Sequence, residues 1–169
     1  MHKVDTIRIC RADYANPGHA AALVSMLDAY ARDPMGGGEA LSDYARVNVV
    51  DALAGLPQAF SVLAFDGQGE ETPVGLVNCM QGFSTFACKP LVNVHDVAVS
   101  SVYRGQRIAQ RMLDLVETIA RERGACKLTL EVLSGNAPAM RLYERIGFAQ
   151  YALDPAAGQA GFMQKWLGD

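Results

Sequence analysis

The part of this chain that most restricts its fold lies between residues 92 and 132. Val92 to Val99 reads as a strand and Gln106 to Arg123 as a helix. Lys127 to Val132 reads as a second strand, with apolar Leu128, Leu130 and Val132 alternating with Thr129 and Glu131. The helix carries Ile108, Met112, Leu115, Val116 and Ile119 on one stripe, and Gly124 stops it. A strand, helix and strand in this order form a right-handed crossover, which makes the two strands parallel and puts the intervening turn at the carboxyl end of the first. That turn, Tyr103-Arg104-Gly105-Gln106-Arg107, is basic and opens a helix. A helix start has N–H groups without partners and the positive end of the helix dipole, so the turn suits a phosphate. Gly105 opens the approach, Arg104 and Arg107 add charge, and small Ala109 stays clear of the ligand.

The remaining elements alternate around this unit. Thr6 to Arg11 reads as a strand, and Pro17 to Arg32 as a helix with Ala21, Val24, Leu27 and Ala31 near one face. Asp33-Pro34-Met35-Gly36-Gly37-Gly38 ends that helix. With no strand before it and no lysine after it, the glycine run reads as a flexible connection to a second helix, Ser42 to Ala54, rather than as a phosphate loop. Gln58 to Asp66 and Val74 to Phe83 are apolar strands joined by the polar stretch Gly67 to Pro73, which predicts an antiparallel hairpin. After the second parallel strand, Ala137 to Ile146 reads as a short helix stopped by Gly147. Gln150 to Leu153 and Gly161 to Trp166 read as a closing hairpin. No repeat or linker divides the chain, so residues 1–169 are expected to form one α/β domain with a mixed sheet.

Composition narrows the function classes. With 50% hydrophobic and 20% charged residues, the chain has the balance of an ordinary soluble globule, and a net charge of −3 argues against a broad nucleic-acid footprint. Met1-His2-Lys3-Val4-Asp5 lacks an apolar leader core, and no run approaches the ~18 apolar residues of a membrane span, so no membrane partner and a cytoplasmic location are expected. Cys10, Cys79, Cys88 and Cys126 have no CxxC spacing and no nearby histidine pair, so no metal site is expected.

Neither the GxGxxG nor the GxxxxGK spacing is present. Instead, Arg104 to Ala109 resembles the acetyl-CoA signature of the GNAT superfamily of N-acetyltransferases. That signature has arginine or glutamine first, glycine three residues on, and glycine or alanine two residues further. Arg104 and Ala109 match, and Arg107 stands where the family usually has glycine. Asn136-Ala137-Pro138-Ala139-Met140-Arg141-Leu142-Tyr143-Glu144-Arg145-Ile146-Gly147-Phe148 resembles the second signature, N-x-x-A-x-x-L-Y-x-x-x-G-F, at every named position. His95-Asp96-Val97-Ala98-Val99 resembles the strand leading into the cofactor loop.

The resemblance implies a single-domain GNAT-like fold. It would have a mixed sheet of about six to seven strands, about four helices, and a parallel strand pair splayed at the cofactor cleft. It implies transfer of an acetyl group from acetyl-CoA to a primary amine of a small-molecule or amino-acid-like substrate by direct attack. A non-catalytic acyl-CoA-binding sensor or partner module of the same fold is the alternative, and a homodimer is compatible with either. The pyrophosphate would be held by main-chain N–H groups of Gly105, Gln106, Arg107, Ile108, Ala109 and Gln110 beside Arg104, and the pantetheine arm by the backbone edge of Val97, Ala98 and Val99. Asn136 would touch the pantetheine arm, cap the following helix, or do both. Tyr143 would protonate the leaving thiolate, since a phenol keeps its proton at neutral pH. His95 matches a base position on the same strand, with Glu131 in reserve; regular alternation would send His95 and Asp96 to opposite faces. Asp28, Tyr30, Asp33, Glu39, Asp43, Tyr44 and Phe86 would supply acceptor contacts or, equally, form a solvated helix face. Arg107 is expected to keep an ordinary helical backbone, with its guanidinium in solvent or at a cofactor phosphate.

Overall fold

Helices start where local chemistry permits in this structure, a computed structural model that describes residues 6–67 and 72–168. Asn16 caps α1 (Pro17–Arg32), accepting from the N–H groups of Gly18 at 2.8 Å and His19 at 3.2 Å, and Pro17 takes the first helical position. Ser42 caps α2 (Asp43–Ala54) through the Ala45 N–H. Around these helices run β1 (Ile7–Arg11), β2 (Ala59–Asp66), β3 (Thr72–Ser84) and β4 (Lys89–Val99), followed by α3 (Ile108–Glu122) and β5 (Leu128–Leu130). One compact unit reaches to Leu130, and a second begins at Glu131 with α4 (Ala137–Arg145). The first five residues and the middle of the predicted β2–β3 loop, Gln68 to Glu71, lie outside the described residues. The expected hairpin pairing is present down to Asp66 opposite Thr72.

The strands of the first unit form a five-stranded sheet in the order β1-β2-β3-β4-β5. The first four are antiparallel neighbours, and β4 and β5 are the predicted parallel pair. α1 and α2 cover one face, where Leu23, Met26, Leu53, Leu63, Phe65, Leu76 and Ala98 form a core cluster. The buried stripe of α1 is Ala22, Leu23 and Met26 rather than the predicted one, of which Ala21 is exposed and Val24, Leu27 and Ala31 are half-buried. Alanines on several sides leave the phase of this helix weakly marked, so the stripe is centred on Leu23 and Met26 while Leu27 packs half-buried against the same core. α3 follows its pattern closely: Ile108, Met112, Val116 and Ile119 are buried, together with Leu113 and Ala120, while Leu115 is half-buried. Met112 sits so close to β3 that a Cβ on Gly75 would lie 2.8 Å from its Cε.

Three expectations need correction. The sheet has five strands among the described residues, not six to seven, because neither 150–153 nor 161–166 forms a ladder. That segment holds only a short 3₁₀ turn, Pro155–Ala157, capped by Asp154, and Tyr151, Leu153, Phe162 and Trp166 are exposed. Apolar alternation makes a strand only where a neighbour's edge accepts it. For the same reason β5 is three residues long, since its pairing stops at Val94 opposite Leu130. Finally, β4 is not regular. Val94 pairs with Cys79 and Asp96 with Asn78, so His95 is an extra residue in a β-bulge. Val94 and Val97, opposite Cys79 and Val77, therefore share a face although three residues apart. No helix of the described residues is long and apolar enough to cross a membrane.

Candidate active site

β4 ends at Val99, and a 3₁₀ turn, Ser101–Tyr103, carries the chain toward α3. The Tyr103 phenol donates to Asp66 Oδ2 at 2.8 Å, and the Thr6 hydroxyl bonds the other oxygen of the same carboxylate. Gly105 then takes φ 78°. The first bond inside α3 runs from Arg111 N–H to Arg107 O, so the N–H groups of Ile108, Ala109 and Gln110 have no acceptor within the helix. Ile108 is buried at that point and pins the start of the helix to the sheet.

Arg107 corrects an expectation. It is the N-cap residue and lies in the left-handed region at φ 60°, ψ 19°, with no side-chain capping bond. An L-residue with a side chain is strained there by about 1–2 kcal/mol, whereas glycine is not. The arginine therefore reproduces the backbone shape that glycine would adopt freely. Arg107→Gly should raise the unfolding free energy by up to about 1 kcal/mol, the relief of strain being partly offset by the greater freedom of glycine in the unfolded chain. A lower urea midpoint for the variant would show that the side chain makes a contact stronger than the strain.

Arg104 does not present a free charge. Its Nε donates to Val99 O at 3.3 Å and its Nη2 to Asp33 Oδ2 at 3.0 Å, tying the turn before α3 to the turn after α1. Beyond the last β5 pairing, residues 95–99 of β4 have a backbone edge that no described strand pairs, and Arg104 meets it at Val99. Val97, Ala98 and Val99 form the last part of this edge, beyond the bulge.

At the bulge, His95 is exposed and its Nδ1 lies 2.6 Å from Asn93 Oδ1. Asn93 Nδ2 points at Thr129, 3.0 Å from its hydroxyl and 3.4 Å from its carbonyl oxygen. A carbonyl can only accept, so the amide orientation is set: Asn93 Oδ1 accepts, His95 Nδ1–H donates, and in the neutral imidazole Nε2 carries the lone pair. Glu131, the reserve candidate, is exposed and follows β5 instead of lying on it.

In the second unit, Asn136 caps α4, its Oδ1 accepting from Ala139 N–H at 3.4 Å. The far end closes on Gly147, at φ 104°, with bonds from Gly147 N–H to Glu144 O and from Phe148 N–H to Tyr143 O. This is a Schellman turn, and it brings the Phe148 ring edge-on to Tyr143 with centroids 5.8 Å apart. The spacing from Asn136 to Phe148 thus encodes a capped and closed helix that holds the Tyr143 ring.

Most of the predicted acceptor residues are otherwise engaged or exposed. Asp28 accepts from Arg32 at 2.9 Å and from Leu41 N–H at 3.0 Å, with Arg46 at 3.7 Å. Asp33 is bonded to Met35 N–H and Arg104, and Glu39, Asp43, Tyr44 and Phe86 are exposed. The Gly36–Gly38 run is an ordered turn instead of a loose connection, its three N–H groups all directed at Asp33 O. The Arg32 hydrogen bond, then that of Leu41, holds the Asp28 carboxyl below its ordinary 3.8. A lowered folded value means that its stabilisation is present above the unfolded value and lost as pH falls through the folded one. Asp28→Asn should therefore lower stability at neutral pH and remove part of the acid-induced loss below about pH 4. An acid limb identical to the parent's would refute this.

Sequence reasoning missed Asp96 as a site residue. It accepts from Asn78 Nδ2 at 3.0 Å and lies close enough to Tyr30 to help raise that phenol's pKa, though burial is the larger cause. The available signal was a polar residue inside each of two apolar strands, Ser61 and Asn78.

This sheet, with a strand edge that no described strand pairs leading into a helix start whose first N–H groups have no acceptor within the helix, is an α/β scaffold. The model of the acetyltransferase (GNAT) family matches residues 23–148, and the chain belongs to that family. Streptothricin acetyltransferase of Streptomyces lavendulae is 37% identical over 89 residues, covering 51% of this chain and 47% of that protein, so the chain spans about half the length of this curated relative. A crystal structure of a probable acetyltransferase has a TM-score of 0.78 at 20% identity, covering 96% of this chain and 99% of the other. An aminoglycoside N-acetyltransferase in complex with CoA has a TM-score of 0.72 at 13% identity, covering 94% of each. At these identities the two structures establish the shared α/β fold.

Proposed function

We propose that this protein is an N-acetyltransferase that moves the acetyl group of acetyl-CoA to a primary amine of a small-molecule or amino-acid-like substrate. The observation that carries this reading is the Gly105–Gln110 turn. It has a left-handed N-cap and the open N–H groups of Ile108, Ala109 and Gln110, and it follows a strand edge that no described strand pairs. Such a turn suits a pyrophosphate, and such an edge suits the amides of a pantetheine arm. Because Arg107 keeps a glycine-like backbone, the substitution at this position gives no reason to favour a degraded, sensor-only site.

The chemistry follows from the groups available. The amine nitrogen attacks the thioester carbon, the C–S bond breaks, and its electron pair goes to sulfur. Before that attack the substrate ammonium gives one proton to His95 Nε2, directly or through water; Tyr143 then protonates the thiolate, and the second proton that nitrogen loses as the amide forms restores the phenol. Asn93 and Thr129 support the first role by selecting the neutral tautomer of His95 whose lone pair is on Nε2. The name of the streptothricin acetyltransferase relative supports acetyl transfer as the reaction.

Thiol release against an amine panel, together with calorimetric titration of acetyl-CoA, tests the reading. Binding with turnover of at least one amine supports an enzyme, binding without turnover supports the sensor module, and no binding at submillimolar acetyl-CoA refutes both. Weaker and less salt-dependent binding by Arg107→Gly would put the arginine at a cofactor phosphate.

A further inference from the structure

Ser61, Asn78 and Asp96 stand directly opposite one another on β2, β3 and β4, in register across three strands. Ser61 and Asn78 are 0% and 5% exposed, in strands whose neighbouring residues are apolar. Buried polar groups are costly unless satisfied, and these are satisfied by one continuous chain. The Tyr14 phenol lies 2.9 Å from Ser61 Oγ, Ser61 Oγ lies 2.6 Å from Asn78 Oδ1, and Asn78 Nδ2 lies 3.0 Å from Asp96 Oδ2.

The chain has one direction. Asn78 presents its NH₂ to Asp96, so its carbonyl oxygen must accept from the Ser61 hydroxyl. That hydroxyl has a single proton, so at its other side it accepts from Tyr14. Every donor points toward the carboxylate, which is fixed through Oδ2. Oδ1 has no hydrogen-bond partner among the described residues, and no arginine or lysine among them pairs with this half-buried group. Asp96 adjoins the bulge at His95, and Tyr30 of α1 is close by. Asp28 and Asp33, the other carboxylates near this end of α1, are already bonded to arginines. A donor carrying positive charge would fit Oδ1 and continue the row in the same direction.

We propose that Asp96 binds the ammonium group of the acceptor through Oδ1, and that Asn78 and Ser61 are positioning residues that aim this carboxylate. The proposal rests on the acetyltransferase reading above and names the acceptor class, a cationic amine recognised by charge. Nothing covalent changes at Asp96. The ammonium docks there before it gives up its proton and attacks.

The test uses the full chain and an amine found by thiol release. Asp96→Asn should raise KM for that amine by about tenfold to a hundredfold, as expected for loss of a charge-assisted hydrogen bond, while calorimetric affinity for acetyl-CoA stays unchanged. Ser61→Ala should raise the same KM by a smaller factor and should have no further effect once Asp96 is Asn. A purely structural Ser61 would act equally in both backgrounds and would overturn the positioning role. An unchanged KM in Asp96→Asn, with turnover intact, would overturn the proposal and leave the acetyltransferase reading standing. If no amine is turned over and acetyl-CoA does not bind, both fall. The parent protein gives a measurement that needs no variant to fold. An alcohol isosteric with the amine should inhibit at least about tenfold more weakly than a non-reactive ammonium analogue, and equal inhibition would overturn the proposal.

Discussion

Tyr143→Phe should lower turnover by about one to two orders of magnitude while acetyl-CoA affinity changes little. The substitution removes one hydroxyl and almost no volume, so the edge contact with Phe148 and the closing turn at Gly147 should persist. A loss confined to the chemical step is what a donor to the leaving thiolate requires, because a thiolate left unprotonated is the poorer leaving group. The decisive comparison is single-turnover acetyl transfer, which separates chemistry from product release. Equal single-turnover rates for the two proteins would return Tyr143 to a packing role. A large rise in the acetyl-CoA dissociation constant would instead assign the hydroxyl to binding.

The second large effect concerns α3. Ile108 and Ile119 are both buried, at 2% and 4% exposure, but Ile108 opens the helix at the proposed cofactor turn and Ile119 lies near its other end. Either isoleucine replaced by alanine should cost about 2–5 kcal/mol of stability, through lost apolar contact and the cavity left behind. Against a typical net stability of about 5–15 kcal/mol, both variants should melt well below the parent. Only Ile108→Ala should also weaken acetyl-CoA binding, because it loosens the residue that sets where the open N–H groups point. Equal losses of binding in both variants would mean that affinity merely tracks global stability.

Much of this was readable from residue order. Asn16-Pro17 and Ser42 mark helix starts by supplying side-chain acceptors, and the limits of α1 follow directly. The β4–α3 turn was readable because a strand, a basic turn with glycine and an apolar stripe occur in succession. What stayed hidden depends on partners distant in sequence. The length of β5 is decided by how far β4 accepts it, and the bulge at His95 by a register shift against β3. The row from Ser61 to Asp96 exists only because two separate registers align. Arg107 was misjudged for a different reason: its conformation is set by the turn it completes and opposes its own preference.

The bond between Arg104 and Asp33 joins two turns that lie 71 positions apart in the sequence. It bears on how this scaffold can be re-engineered. The turn after α1 invites exchange for longer or differently charged versions when a new acceptor is wanted, yet it is not an independent cassette. A graft lacking an acidic side chain at position 33 would release the Arg104 guanidinium beside the turn before α3. Libraries built there should keep Asp33 constant, or vary positions 33 and 104 together.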